Sequence, residues 1–204
     1  MGVTTAGLRL VSQVHGVAVA IARAREAGPD VRPEADVIIS DDPDVAIGVR
    51  VADCAPVLLA DRRTGAVGAA HAGWRGTAMQ AAVVAVAAMR STFGSNPRDL
   101  VAAIGPCLGP CCGEVGLEVV ENFREAGHPE ADLARWFAEG VFGRVSLDLW
   151  RANRDQLEEA GVPRGQVHVA GICTKTNASL LHSYRAHGAL AGRMAALIRA
   201  ERAP

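Results

Sequence analysis

The sequence predicts a single α/β or α+β domain in which mixed β-sheets are flanked by helices. Three observations carry that reading. Short apolar runs, cut by turn residues, recur through the first third of the chain. Later segments place apolar residues at helical spacing, and the two kinds do not alternate as strictly as in a βαβ protein. The chain has 204 residues, 50% of them hydrophobic, which suits one packed core spanning 1–204.

Residues 17–22, 35–39, 46–51, 56–60 and 66–71 read as strands, the last entered through the turn Arg63-Thr64-Gly65. Unbroken apolar runs of this kind suit a sheet covered on both faces. A helix follows: Thr77 can cap it, Met79, Ala82, Val83, Val86, Ala87 and Arg90 keep the 3.6-residue period, and Gly94 ends it. Residues 100–104 form another buried strand. Gly105-Pro106 and Gly109-Pro110 then force a loop that holds Cys107, Cys111 and Cys112. Residues 118–126 and 132–139 read as short helices. Asp148 caps a longer helix that Gly161 closes. Residues 167–172 form a strand, and the apolar run in the tail fits strand or helix equally.

Composition excludes several classes. The formal net charge is −1, which disfavours a nucleic-acid partner. No run is long and apolar enough for a membrane span, and the first residues lack the apolar core of a secretory signal. Five cysteines, odd in number and unevenly placed, make a poor disulfide framework. A reducing compartment, the cytoplasm, is expected, for a monomer or homodimer.

Three segments carry metal-capable side chains beside glycine or apolar strand: Gln13-Val14-His15-Gly16, Asp53-Cys54 and His71-Ala72-Gly73-Trp74-Arg75-Gly76. A thiolate and two imidazoles suit zinc and leave a fourth position open, as catalytic zinc requires. Spacing alone leaves two other arrangements open. One is a surface imidazole, a buried thiol and a capped histidine. The other is a metal-free pair with Cys54 as nucleophile and His71 as base.

These segments stand in one order with Ala52-Asp53-Cys54, Ile104-Gly105-Pro106-Cys107-Leu108-Gly109-Pro110-Cys111-Cys112, Cys173-Thr174, Ser183-Tyr184-Arg185 and Gly192-Arg193. Together they resemble the laccase-like "polyphenol oxidase" family of bacteria, also described as multifunctional purine nucleoside enzymes and as peptidoglycan editing factors. The resemblance covers nearly the whole chain. It implies metal ligation by His15, Cys54 and His71, phosphorolysis of adenosine, inosine and methylthioadenosine, and adenosine deamination. Copper-dependent phenol oxidation is implied as well. Six histidines, two of them in the metal motifs, are too few to hold several coppers, so oxidation is expected to be minor and zinc the main cofactor.

The remaining groups take roles from their chemistry. Arg75 and Arg185 are planar cations suited to phosphate, or else surface ion-pair partners. Cys54, His71 and Arg185 form the expected catalytic set, with Gln13, Arg75 and Tyr184 against substrate. Tyr184 can stack on a purine or fill the core. Asp53 can orient His15 or His71, or cap a turn. Trp74 is assigned to packing, as are Cys107, Cys111, Cys112 and Cys173. His128 is expected at the surface, while His182 and His187 stay unassigned. A non-catalytic binding module is the remaining alternative. The chain departs from the family pattern in three places: it lacks the usual longer N-terminal segment, Gly113 replaces an aromatic, and Ala186-His187 replace an arginine and an aspartate.

Overall fold

A computed structural model describes residues 5–24, 32–140 and 143–201. Its framework is a six-stranded mixed sheet built from β2 (Val19–Ile21), β3 (Val37–Ser40), β5 (Ala55–Asp61), β6 (Val67–Ala72), β7 (Leu100–Ile104) and β11 (Val167–Val169), in the order β11-β7-β5-β6-β3-β2. The two outer pairs are parallel and the inner ones antiparallel. One face is covered by a smaller sheet, in which β4 (Ala46–Val51) pairs in parallel with β1 (Leu8–Leu10) and antiparallel with β12 (Met194–Arg199). The other face is covered by helices, chiefly α2 (Ala81–Phe93) on β3 and β6, and α5 (Leu149–Glu159) on β7 and β11. Between α1 (Trp74–Ala78) and α5 the chain also builds α3 (Leu117–Glu125), α4 (Glu130–Trp136) and a third sheet of β8 (Glu114–Gly116), β9 (Phe137–Glu139) and β10 (Arg144–Leu147). A short α6 (Tyr184–His187) lies before β12.

Strand alternation assigns the two cores. In β6, Val67 and Ala69 belong to the cluster between the sheets, whereas Ala70 and Ala72 belong to the cluster under the helices. His71 therefore projects with Val67 and Ala69, toward the smaller sheet. Glycines in β6 and β4 stand where neighbouring elements approach closely. A Cβ on Gly68 would meet Met89 Sδ of α2 at 3.0 Å, and one on Gly48 of β4 would meet the Ala196 carbonyl oxygen at 2.4 Å.

The mixed-sheet architecture and most expected strands hold. Three local expectations do not, and one that was open is decided. Thr77 lies inside α1, and Gln80, in a left-handed conformation at φ 61°, precedes a new helix. The segment expected to be helical to Glu139 stops at Trp136, because residues 137–139 pair with β10. The tail run, open between strand and helix on sequence, is strand, since it completes the small sheet against β4. His128 is buried rather than exposed: Nε2 donates to the Ala78 carbonyl at 2.8 Å, and the ring packs between Phe123 and Trp136. Among the described residues no helix is long and apolar enough to cross a membrane.

Gly48→Ala is expected to destabilise the chain by about 1–3 kcal/mol, the usual range for overpacking. The carbonyl that the new methyl meets is backbone and cannot rotate away. Urea unfolding followed by circular dichroism checks this; an unchanged midpoint would mean that β4 and β12 separate freely at this position.

Candidate functional site

Sheet register assembles the site. Val37 pairs with Ala70 in the β3–β6 ladder, which sets Asp36 across from His71, and the His71 amide donates to the Asp36 carbonyl at 2.8 Å. Ala55 pairs with Ala72 in the β5–β6 ladder, which sets Cys54 across from Gly73. A Cβ on Gly73 would lie 2.6 Å from Cys54 Sγ and 3.7 Å from His15 Cδ2. Glycine there leaves the space into which the sulfur and the imidazole converge.

Asp36 is the hub. It is fully buried, and a buried carboxylate must be satisfied by donors. One oxygen, Oδ1, accepts from His71 Nδ1 at 2.7 Å and from the His15 amide at 3.0 Å; Oδ2 accepts from the amides of Val14 at 3.0 Å and Gly16 at 2.7 Å. Three successive backbone N–H groups thus wrap one carboxylate, as such nests wrap anions. The wrap holds His15 at φ 61°, a left-handed conformation uncommon for non-glycine residues. The result is a T-shaped approach of the His15 and His71 rings, with centroids 4.9 Å apart.

The ligand atoms of His15, Cys54 and His71 lie within 4.8 Å of one another. With His71 Nδ1 bound to Asp36, its Nε2 is the free donor. Carboxylate, imidazole and metal in series form the outer-shell arrangement that fixes a ligand's tautomer and ring orientation. Burial, above all, pushes the Cys54 thiol up to about 11; the Asp53 and Asp36 charges add to this and Arg193 opposes it. Burial also moves His71 below its ordinary value, although the Asp36 hydrogen bond pulls the other way. A neutral imidazole and a thiol held protonated fit a metal-ligand set, in which the ion supplies the charge that favours thiolate.

The triad faces a cleft of about 840 Å³, inside the range of roughly 300–1,000 Å³ usual for small-molecule sites. Trp74, Tyr184 and three arginines, Arg50, Arg185 and Arg193, are among its lining residues. Tyr184 is exposed, which excludes a core role. The guanidinium of Arg185 donates through Nη1 to the carbonyls of Glu114 at 2.8 Å and Cys112 at 3.4 Å. Its Nε/Nη2 edge makes no hydrogen bond within the described residues, so it can serve an anion bidentately.

Several expected site residues are placed differently. Gln13 lines the cleft, but its amide pairs with the main chain of Arg50, donating at 2.7 Å and accepting at 2.8 Å, so it fastens the His15 loop to β4. Arg75 is not among the lining residues; its guanidinium stacks 4.2 Å from the Trp74 ring. Consecutive helical residues diverge by roughly 100°, which turns Trp74 inward and Arg75 outward. Asp53 orients neither histidine. Held at φ 82°, it accepts from Thr174 Oγ1 and from the Arg185 amide, each at 2.5 Å, and so joins the start of β5 to the C-terminal segment. His182 and His187 are exposed and outside the cleft lining. The packing assignment holds for Cys107, which is fully buried, but not for Cys111, which is exposed. Asp36, Arg50 and Arg193 were given no role by the sequence. Asp36 carried a readable signal, a carboxylate inside an otherwise apolar strand run.

The fold and the open two-histidine, one-cysteine cluster define a mixed α/β protein with a candidate metal centre facing a cleft. The family model "Multi-copper polyphenol oxidoreductase laccase" matches residues 1–201, and the chain belongs to that family. A curated relative, the purine nucleoside phosphorylase of Bacteroides thetaiotaomicron, is 38% identical over 78% of this chain and 58% of its own length. The chain therefore spans less than two thirds of that relative. Adenosine deaminase RL5, from an unknown prokaryotic organism, is 32% identical over 95% of this chain and 75% of its own. The crystal structure of YlmD from Geobacillus stearothermophilus superposes with a TM-score of 0.90 at 34% identity, covering 97% of this chain and 75% of that one.

Two outcomes follow from the hub. Asp36→Asn is expected to weaken any divalent-metal binding at this candidate centre about 10–100-fold, the usual effect of losing an outer-shell partner. Competition with a chromophoric chelator measures it, and unchanged affinity would reduce Asp36 to a fold anchor. Ion uptake at neutral pH should release a proton from Cys54, so affinity should rise about tenfold per pH unit below its pKa. Calorimetry in two buffers of different ionisation enthalpy reads that proton; the Cys54→Ser variant should lose both the proton release and the cleft's ion.

Proposed function

We propose that this chain is a zinc-dependent purine nucleoside enzyme. Its proposed reactions are phosphorolysis of adenosine, inosine and methylthioadenosine, and deamination of adenosine. The observation that carries the reading is the open His15/Cys54/His71 triad inside a cleft that also presents Arg50, Arg185 and Arg193. The names of the relatives, a purine nucleoside phosphorylase and an adenosine deaminase, supply the substrate class.

A zinc ion, when bound, supplies Lewis acidity at the one position that three protein ligands leave open. Asp36 keeps His71 in one tautomer, so its Nε2 lone pair faces the cleft. Arg185 offers its free guanidinium edge to phosphate and is itself braced by the Glu114 carbonyl. The exposed Tyr184 ring and the Trp74 wall offer faces for a purine. In phosphorolysis a phosphate oxygen attacks the anomeric carbon and the purine leaves from N9. In deamination water adds at C6 and ammonia leaves. Both reactions act on the same class of purine nucleoside, so one cleft would serve both. The five free thiols favour a reducing compartment, so the proposed setting is the cytoplasm.

The metal-free cysteine hydrolase is the weaker reading. It needs a Cys54 thiolate beside a protonated His71, whereas burial moves the thiol up and the imidazole down. Copper can enter a His/Cys set opportunistically, so any phenol oxidation is expected to be slow and to need added copper.

Product analysis with adenosine, inosine and methylthioadenosine, with and without phosphate, tests the reading; no product from any of them would overturn it. Loss of one charge-assisted contact costs about 1.5–3 kcal/mol, or roughly one to two decades. Arg185→Ala is therefore expected to raise the phosphate requirement of inosine cleavage about 10–100-fold while adenosine deamination falls much less. Ala186→Arg should tighten phosphate use. Equal losses in both reactions would make Arg185 a structural brace only.

A further inference from the structure

A second group of thiols lies outside the cleft. Cys111 and Cys112 follow Pro110 in the loop between β7 and β8, and Cys173 follows the end of β11. Main-chain pairing brings the two segments together. Cys107 and Cys173 form a parallel bridge, in which the Cys107 amide donates to the Ile172 carbonyl at 3.3 Å and the Thr174 amide to the Cys107 carbonyl at 3.0 Å. The turn closes through the Cys112 amide on the Gly109 carbonyl at 2.9 Å. Gly109 permits this path, because a Cβ there would meet the Trp150 ring at 2.5 Å.

The three sulfurs lie within 4.8 Å of one another, and all are free thiols. Tetrahedral metal–sulfur bonds of about 2.3 Å set sulfurs roughly 3.8 Å apart, so small side-chain movements close the set around an ion. The cluster is graded from inside to outside: Cys173 is 4% exposed, Cys112 is half-buried and Cys111 faces solvent. That gradient gives an ion a route in, and packing does not explain it, since a thiol serving only as a small hydrophobe would be covered.

We propose that Cys111, Cys112 and Cys173 form a second metal site, specific for a thiophilic d10 cation. The donor set is sulfur alone, which selects cuprous or zinc ion over harder cations. Three sulfurs suit cuprous ion directly; zinc takes a fourth, solvent ligand on the Cys111 side. Binding exchanges thiol protons for the ion, the protons go to solvent, and no electron moves. The site adjoins the cleft through two links already described. The Cys112 carbonyl accepts from Arg185, and Thr174, next to Cys173, donates to Asp53.

The test is anaerobic titration of the full chain with cuprous ion against a chromophoric chelator, and separately with zinc ion. The Cys111→Ser/Cys112→Ser double variant is expected to bind about one ion fewer than the unaltered chain. That difference reads the cluster alone, whether or not the cleft holds an ion of its own. Cys111→Ser by itself should weaken this uptake by about 100-fold or more, beyond the effect of an outer-shell loss, while its solvent-facing position spares the fold. Cobalt substitution should show thiolate-to-metal absorption of which the double variant loses the larger share, that of the thiol cluster, while Cys54→Ala loses only the smaller share of the cleft's one thiolate. A one-ion difference seen with zinc alone supports the site and assigns zinc to it. Equal uptake of both ions by the unaltered chain and the double variant, with matching circular dichroism spectra, would overturn the proposal.

Discussion

The carboxylate of Asp36 is the constraint on which the rest of the site depends. A charge buried without donors is far too costly to persist, so the surrounding chain is organised to supply them. Four hydrogen bonds meet the two oxygens, three from the loop that carries His15 and one from His71. One side chain thereby sets the position of two candidate metal ligands that stand far apart in sequence. The opposing cross-strand position in β6 is occupied by the ligand itself, so sheet register and site geometry are a single fact.

Asp53 repeats the device on the other wall of the cleft. Both His15 and Asp53 sit in left-handed backbone, at φ 61° and 82°, conformations that cost of order 1–3 kcal/mol each. In both cases a carboxylate collects donors from a separate segment and so holds the strained loop in place. Asp36 works from the buried sheet and locks the ligands. Asp53 works at its rim and gathers the segment that carries Tyr184 and Arg185.

Much of this was legible in the sequence because the central strands are buried on both faces and therefore read as apolar runs. The pairing of β5 with β6 brings Cys54 and His71 together, and the motif order carried His15 with them. What escaped depended on register. Asp36 sits in a run that reads as strand, and only the ladder with β6 reveals that it faces His71. Asp53, next to a ligand in sequence, invited a role that its backbone geometry gives to Thr174 and Arg185 instead. Arg75 shows the same limit, since one step along a helix turns it away from the cleft that Trp74 lines. The small β8–β10–β9 sheet was missed because its strands are short and half-exposed, without an apolar signature.

The two hydrogen bonds on Asp53 span 121 and 132 residues of chain. Contacts of such separation are expensive to close in an unfolded polymer and come late in folding. During synthesis the three candidate ligands of the cleft, His15, Cys54 and His71, are all made well before the segment of Tyr184 and Arg185 that completes the wall. The nascent chain can therefore pair β3, β5 and β6 and gather its metal donors well before it can shape a pocket around them. In the order of biogenesis, the candidate donor atoms can meet before the wall of the cleft is in place.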